Sequence, residues 1–209
     1  QIYLIDRPGS VQSTIIGGHV TTPKANPIEI ATMLMNDVLG GSSTSRVNMN
    51  LREDKGWSYG AGTGIFNARG PRFFYASTSV QSDKTAASVK EMMKEFEAFI
   101  SDTPITAEEL SKAKQNNTLS LPGQWETGGA VLGSLSQIVQ YDLAPDYFDT
   151  YADTIRSVSL EQAEAAAQQV LHPSSLVWVV VGDKAIVQEN LDELGFGKAI
   201  LIDSEGNRL

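Results

Sequence analysis

Leu51-Arg52-Glu53-Asp54-Lys55-Gly56-Trp57-Ser58-Tyr59-Gly60 is the stretch on which the reading of this chain turns. Its first half is polar and reads as the end of a helix. Gly56 is a helix stop, and Trp57-Ser58-Tyr59 opens a strand with an aromatic hydroxyl. A helix that passes into a strand through one glycine predicts mixed helix and sheet. The same turn brings an arginine and a tyrosine close along the chain. Guanidinium and phenol are hydrogen-bond donors, and together they suit a carbonyl oxygen.

Upstream, residues 2–6 and 11–20 read as two strands joined by a turn at Arg7-Pro8-Gly9-Ser10. Pro27 suits the first turn of a helix carrying Ile30, Met33, Leu34 and Val38 at helical spacing, and Gly40-Gly41 stops it. A second helix is expected over 45–54. Downstream, strands are expected over 58–67 and 72–80, with Ala68-Arg69-Gly70-Pro71 as the turn between them. Val89, Met92, Met93, Phe96, Phe99 and Ile100 then repeat at three and four residues, with Asp83 as the expected cap. Thr106-Ala107-Glu108-Glu109 and Ser159-Leu160-Glu161-Gln162 are capping-box sequences. Further helices are expected around 130–139 and 146–155. His172-Pro173 closes the helix opened at Ser159, residues 176–181 form a buried apolar strand, and Asp183 caps a last helix that stops at Gly195. Segregated runs of this kind predict an α+β fold: a largely antiparallel sheet with helices packed on one face, in two layers. With no linker, low-complexity segment or repeat, residues 1–209 read as a single domain.

Composition narrows the function classes. The chain has 209 residues, 41% hydrophobic and 20% charged, with a net charge of −9. That charge argues against a nucleic-acid groove and against an anionic membrane surface. No apolar run approaches the ~20 residues of a membrane span. The absence of Cys removes disulfides, thiol nucleophiles and thiolate metal sites. Gln1 opens a strand without an initiator Met, which predicts a chain excised from a longer protein.

His19 and His172 are the two histidines, and neither belongs to a helix with two His on one face beside a Glu. They read as the end of a strand and the end of a helix, and no metal site is expected within the chain. Gly60-Ala61-Gly62-Thr63-Gly64 tempts a phosphate-loop reading, but the glycines alternate inside an expected strand. They read instead as a bulge or as close approach by another backbone, and a peptide lying along Gly60, Gly62 and Gly64 fits the second sense. Gly40-Gly41-Ser42-Ser43-Thr44-Ser45 reads as a connection between helices, and Glu108-Glu109 as a helix start. No Ser has an obvious base. Arg52 and Tyr59 remain. Against a functional role, Arg52 has Glu53 and Asp54 beside it, and Tyr59 is compatible with ordinary strand packing.

Leu51-Arg52-Glu53-Asp54-Lys55-Gly56-Trp57-Ser58-Tyr59 resembles the L-R-E-x-x-G-x-x-Y element in the second, non-metal-binding domain of the insulinase/pitrilysin family of zinc peptidases. Four more segments resemble that domain in the same order: Asp6-Arg7-Pro8-Gly9, Leu39-Gly40-Gly41 with Ser45-Arg46-Val47, Thr106-Ala107-Glu108-Glu109-Leu110 with Ala113-Lys114, and Val179-Val180-Val181-Gly182-Asp183. The resemblance implies an inactive carboxyl-terminal domain that closes over an extended peptide while a partner domain, in the same or a paired chain, carries H-x-x-E-H and zinc. It implies that Arg52 and Tyr59 hold substrate backbone. It also implies a bacterial periplasmic or envelope setting, and it leaves a non-proteolytic scaffold subunit of the same fold as the alternative. Trp57 departs from the smaller aliphatic residue common at its position.

Overall fold

Burial alternates along most of the strands and defines the architecture. The structure, a computed structural model, describes residues 1–209. The long strands are β2 (Gln12–Thr21), in which Ser13, Ile15, Gly17 and His19 are buried, and β4 (Arg72–Gln81), in which Phe74, Ala76, Thr78 and Val80 are buried. With side chains alternating across the pleat, each strand gives one face to the core. β1 (Ile2–Asp6), β3 (Ser58–Ile65), β5 (Val177–Gly182) and β6 (Ile200–Ile202) complete a six-stranded sheet in the order β3-β4-β2-β5-β1-β6.

The core face is covered by helices. The helices are α1 (Glu29–Asn36), α2 (Arg46–Asn48), α3 (Thr85–Phe99), α4 (Ala107–Gln124), α5 (Gly128–Tyr141), α6 (Tyr151–Ser157), α7 (Leu160–Val170) and α8 (Lys184–Asp192); α5 alone gives no residue to the core. One cluster of 36 buried hydrophobic residues joins Ile15, Phe74, Trp178 and Val180 of the sheet to Leu34, Val89, Met92, Phe96 and Ala166 of the helices. The other sheet face is open: Ile16, Val20, Phe73 and Val177 are all more than 40% exposed. This is the α+β arrangement with helices on one face that the element order predicts.

Several expectations change in detail. Antiparallel pairs join β2 to β4, β2 to β5 and β3 to β4, whereas β1 runs parallel to both β5 and β6. The turn after β1 therefore does not make a hairpin; it steps over β5, and the Gly9 amide donates to Asp183 at 2.8 Å. The apolar run 176–181 is buried only on its Leu176, Trp178 and Val180 side; Val177 lies on the open face and is 43% exposed. Asp83 does not cap α3. A 3₁₀ turn, Ser82–Lys84, leads into the helix, and Asp83 pairs with Lys84. The helix expected over 146–155 begins only at Tyr151. The capping boxes at Thr106 and Ser159 and the Asp183 cap form as read.

At the other margin of the core face, α1 continues into a π-helical turn, Asp37–Gly41, and α2 into a second, Met49–Asp54. Both flank the outer strand β3. At the start of α1 lies a buried ion pair: Arg72, 1% exposed in its side chain, meets both carboxylate oxygens of Glu29, at 3.0 and 2.5 Å. Lys24 and Asn26 add donors to the same carboxylate, each at 2.9 Å. Burial alone would raise the Glu29 pKa; the bonds from Arg72 and Lys24 overcome it and hold the carboxyl below its usual range.

Candidate functional site

The turn that carries Arg52 and Tyr59 is built in three steps. The second π-turn ends at Asp54 with Lys55 as its cap, Gly56 takes a left-handed conformation (φ +65°), and the Trp57 amide returns to the Leu51 carbonyl at 3.0 Å. A residue with a Cβ would be strained at Gly56, so the expected glycine stop has a backbone cause. β3 then begins with a register shift: Ser58 pairs with Val80, but Ala61 pairs with Thr78. Tyr59 and Gly60 thus stand opposite the single residue Ser79, as a β-bulge. Bulges bend a strand and re-aim a side chain.

This bulge is fastened by hydroxyls. Ser58 Oγ donates to the Gly60 carbonyl at 2.6 Å and lies 2.9 Å from Thr78 Oγ1, which donates to the same carbonyl at 3.0 Å. The Gly60 amide donates back to Ser58 Oγ at 3.0 Å. The Tyr59 side chain is left 92% exposed. It borders a depression of about 330 Å³ on the open sheet face, with the hydroxyls of Thr14, Ser77 and Ser79 and the side chain of Ile16. Ordinary strand packing does not describe this tyrosine.

Arg52 lies on the second π-turn and is half-exposed. Its Nε is 3.2 Å from Glu53 Oε1, a pair in which both side chains are about half in water. Such a pair contributes little, roughly 0–1 kcal/mol, and is readily exchanged for another partner. The contact uses Nε and leaves the two terminal nitrogens without a hydrogen bond. Arg52 does not border the depression beside Tyr59.

The three glycines divide. A Cβ on Gly62 would meet the Gly40 carbonyl oxygen at 2.8 Å, and one on Gly64 the Tyr75 ring and hydroxyl at 2.7–2.9 Å. At these two glycines the chain itself makes a close approach that leaves no room for a Cβ. Gly60 alone has open space, its nearest neighbour being Asn48 Oδ1 at 3.8 Å. The outward side of β3 is also taken: the Ala61 amide donates to Asn48 Oδ1 at 3.1 Å, and Asn36 engages Thr63 through both its hydroxyl and its carbonyl, at 2.8 and 3.4 Å. Sequence reading missed both asparagines. For Asn48 the available signal was a polar residue beside Val47 and Leu51 on a short helix; for Asn36 there was none.

His19 and His172, 153 residues apart, meet with ring centroids 5.4 Å apart. His19 Nε2 accepts the His172 amide at 3.3 Å, and Nδ1 faces the Val20 carbonyl at 3.1 Å. Burial, aided by His172, holds the His19 pKa below its ordinary value despite the bond to Val20. Both ring nitrogens are committed, and no group of three His, Asp or Glu side chains is placed to hold a metal ion. This donor set does not fit a zinc site. No helix is long and apolar enough to cross a membrane.

Comparison with known proteins gives this geometry a context. Residues 1–117 match the sequence profile described as the peptidase M16 inactive domain. No curated protein sequence matches the chain. Among solved structures, the fold is similar to a peptidase M16 inactive domain from Pseudomonas fluorescens, with a TM-score of 0.80 and 23% identity over 87% of this chain and 43% of that one. It is similar to a protease from Helicobacter pylori, with a TM-score of 0.78 and 15% identity over 87% and 43%. A putative zinc protease from Bordetella pertussis gives a TM-score of 0.70 and 15% identity over 81% of this chain and 93% of that one. The chain thus spans 43% of the length of each of the first two.

Proposed function

Because the chain belongs to the peptidase M16 inactive-domain family, we propose that it is the substrate-holding, non-catalytic half of a zinc metalloendopeptidase. A partner domain, in the same or a paired chain, supplies the zinc-bound water and its general base. The substrate is an extended peptide. This chain's part is to orient one backbone carbonyl and to stabilise the negative charge it gains during attack.

The observation that carries the reading is Tyr59: a phenol 92% exposed, on a bulge held by four hydroxyl contacts, with no partner in its own chain. The bulge backbone is fastened and the phenol reaches into solvent, which supports a partner for its hydroxyl outside the domain. Arg52 supplies the second donor once its weak contact to Glu53 is given up. A guanidinium has five N–H donors, so losing Glu53 still leaves a fork for a carbonyl. Of the glycines, only Gly60 has room for peptide backbone beside Tyr59. The mid-strand edge of β3 is already bonded, so substrate contact runs through side-chain donors rather than through added strand pairing here.

The test uses the complete peptidase and an unstructured peptide substrate. Arg52→Ala and Tyr59→Phe should lower turnover while folding and partner binding stay intact. A preorganised oxyanion donor is worth about 10²–10³ in rate, whereas a ground-state hydrogen bond is worth ~0.5–1.5 kcal/mol, roughly tenfold or less. A change confined to KM identifies substrate anchoring. If both variants keep the parent kcat/KM, the pair has no such role, and the domain is a scaffold of the same fold.

A further inference from the structure

We infer that Asn48 is a positioning residue for the Arg52–Tyr59 pair, and that the pair's relative placement depends on its one side-chain amide. The inference rests on the reading of that pair as substrate donors. Asn48 is 5% exposed, and it stands immediately before the π-turn that carries Arg52. Its Nδ2 donates to the Ser43 carbonyl at 2.6 Å, and its Oδ1 accepts the Ala61 amide at 3.1 Å. Arg52 is four residues further along the helix, and Tyr59 is two residues before Ala61. A single amide therefore joins the 42–44 connection, the helix bearing Arg52 and the strand bearing Tyr59.

The need for such a tie follows from the topology. β3 is the outer strand, so no neighbouring strand holds its far side. The hydroxyl contacts of the bulge fix Tyr59 from the β4 side only. The bond from Asn48 to Ala61 is the one side-chain hydrogen bond between the Arg52 helix and β3. Without it the Ala61 amide is buried and unpaired, and the strand is free to shift outward at the bulge. Asn48 touches no substrate in this scheme; it acts by holding Tyr59, on the otherwise free strand, in place against the helix that carries Arg52. Asn36 makes the equivalent tie one step along, from the last residue of α1 to Thr63, and leaves the far end of β3 held when Asn48 is changed.

The experiment compares Asn48→Ala and Asn48→Asp in the complete peptidase. The aspartate variant keeps an acceptor for the Ala61 amide and gives up the donor to Ser43. Two readouts are taken: amide hydrogen exchange of the segment 58–65, referenced to the segment 177–182, and peptide turnover in both the parent and the Tyr59→Phe background. Loss of the bond should speed exchange in 58–65 by about tenfold in the alanine variant, with little change in 177–182. The alanine variant should lower kcat with KM nearly constant, and the aspartate variant should recover part of both effects. In the Tyr59→Phe background Asn48→Ala should cost little more, within about twofold, because its effect passes through Tyr59. Equal losses in both backgrounds, or faster exchange with unchanged kcat, would overturn the positioning role. Failure of the site reading itself looks different: Tyr59→Phe then leaves kcat/KM at the parent value although Asn48→Ala still speeds exchange, and the positioning claim falls with it.

Discussion

Replacing Glu29 with glutamine should destabilise the domain far more than the loss of a single surface charge. The carboxylate takes four donors: Arg72 Nη1 at 3.0 Å, Arg72 Nη2 at 2.5 Å, Asn26 Nδ2 at 2.9 Å and Lys24 Nζ at 2.9 Å. Arg72 itself is held further by the Thr22 carbonyl at 2.8 Å, and only 1% of its side chain is exposed. Glutamine keeps the volume, so no cavity opens. What changes is that a guanidinium stays buried without its counter-charge and one donor faces an amide NH₂. Removing one partner of a buried ion pair typically costs about 3–5 kcal/mol. At ~2–4 °C per kcal/mol for a chain of this length, the melting temperature should fall by roughly 6–20 °C. The comparison is Asp153→Asn, which breaks a pair whose side chains are 62% and 86% exposed and should change stability by less than about 0.5 kcal/mol. Thermal and urea unfolding of both variants measure the difference. Because the Glu29 pKa is depressed in the fold, its stabilisation is complete above the unfolded value of 4.5 and is lost as pH falls through the folded one. The gap between parent and Glu29→Gln should therefore close in acid below that point. A Glu29→Gln domain that melts within a degree or two of the parent at pH 7 would refute the argument, since Arg72 would then be satisfied by other means.

His19 shares the preference for the deprotonated form, in a higher pH range: burial lowers its pKa below 6.5, so the folded chain binds fewer protons than the unfolded chain on the acid side of that value. Stability should decline between about pH 7 and pH 5 in urea titrations, and His19→Gln should flatten that part of the profile; an unchanged slope would remove His19 as its source. Gly17→Ala should destabilise by about 1–3 kcal/mol or more, because its Cβ would sit 2.5 Å from two ring carbons of the fully buried Trp178. Gly133→Ala on α5 meets nothing within 4 Å and should instead stabilise by up to about 1 kcal/mol, through helix propensity. Chemical denaturation of the two variants gives both signs.

Features set by a few consecutive residues were legible in the sequence. The boxes at Thr106 and Ser159 and the cap at Asp183 depend on neighbours three residues away or fewer, and they form as read. Gly56 ends its helix because its own φ requires it. Pairing was less legible. Ile200–Ile202 is only three residues long and joins the sheet through β1, about 200 positions away, so no local pattern marks it. The run 176–181 is apolar on both faces, and hydrophobicity alone does not say that one face lacks a covering layer. The family resemblance singled out Arg52 and Tyr59, and the bulge beneath Tyr59 could not be foreseen. It arises from the register of β3 against β4, which is a property of two strands together. Gly62 and Gly64 illustrate the same limit: a glycine signals that something comes near, and only the fold shows that Gly40 and Tyr75 are what come.

The two asparagines beside β3 have a further consequence for how this domain behaves in a crowd. A sheet with an apolar open face and a bare outer strand is a template on which like chains stack, strand upon strand, into fibres. This sheet has the open face, with Ile16, Val20, Phe73 and Val177 in water. It lacks the bare strand at mid-length, because Asn48 occupies the Ala61 amide and Asn36 the Thr63 carbonyl. At the opposite margin the chain turns back on itself, the Leu209 amide donating to the Leu201 carbonyl at 3.0 Å. An incoming strand would have to displace bonds already made at either end. The sheet can thus leave a broad apolar surface uncovered for a legitimate neighbour without offering its margins to copies of itself.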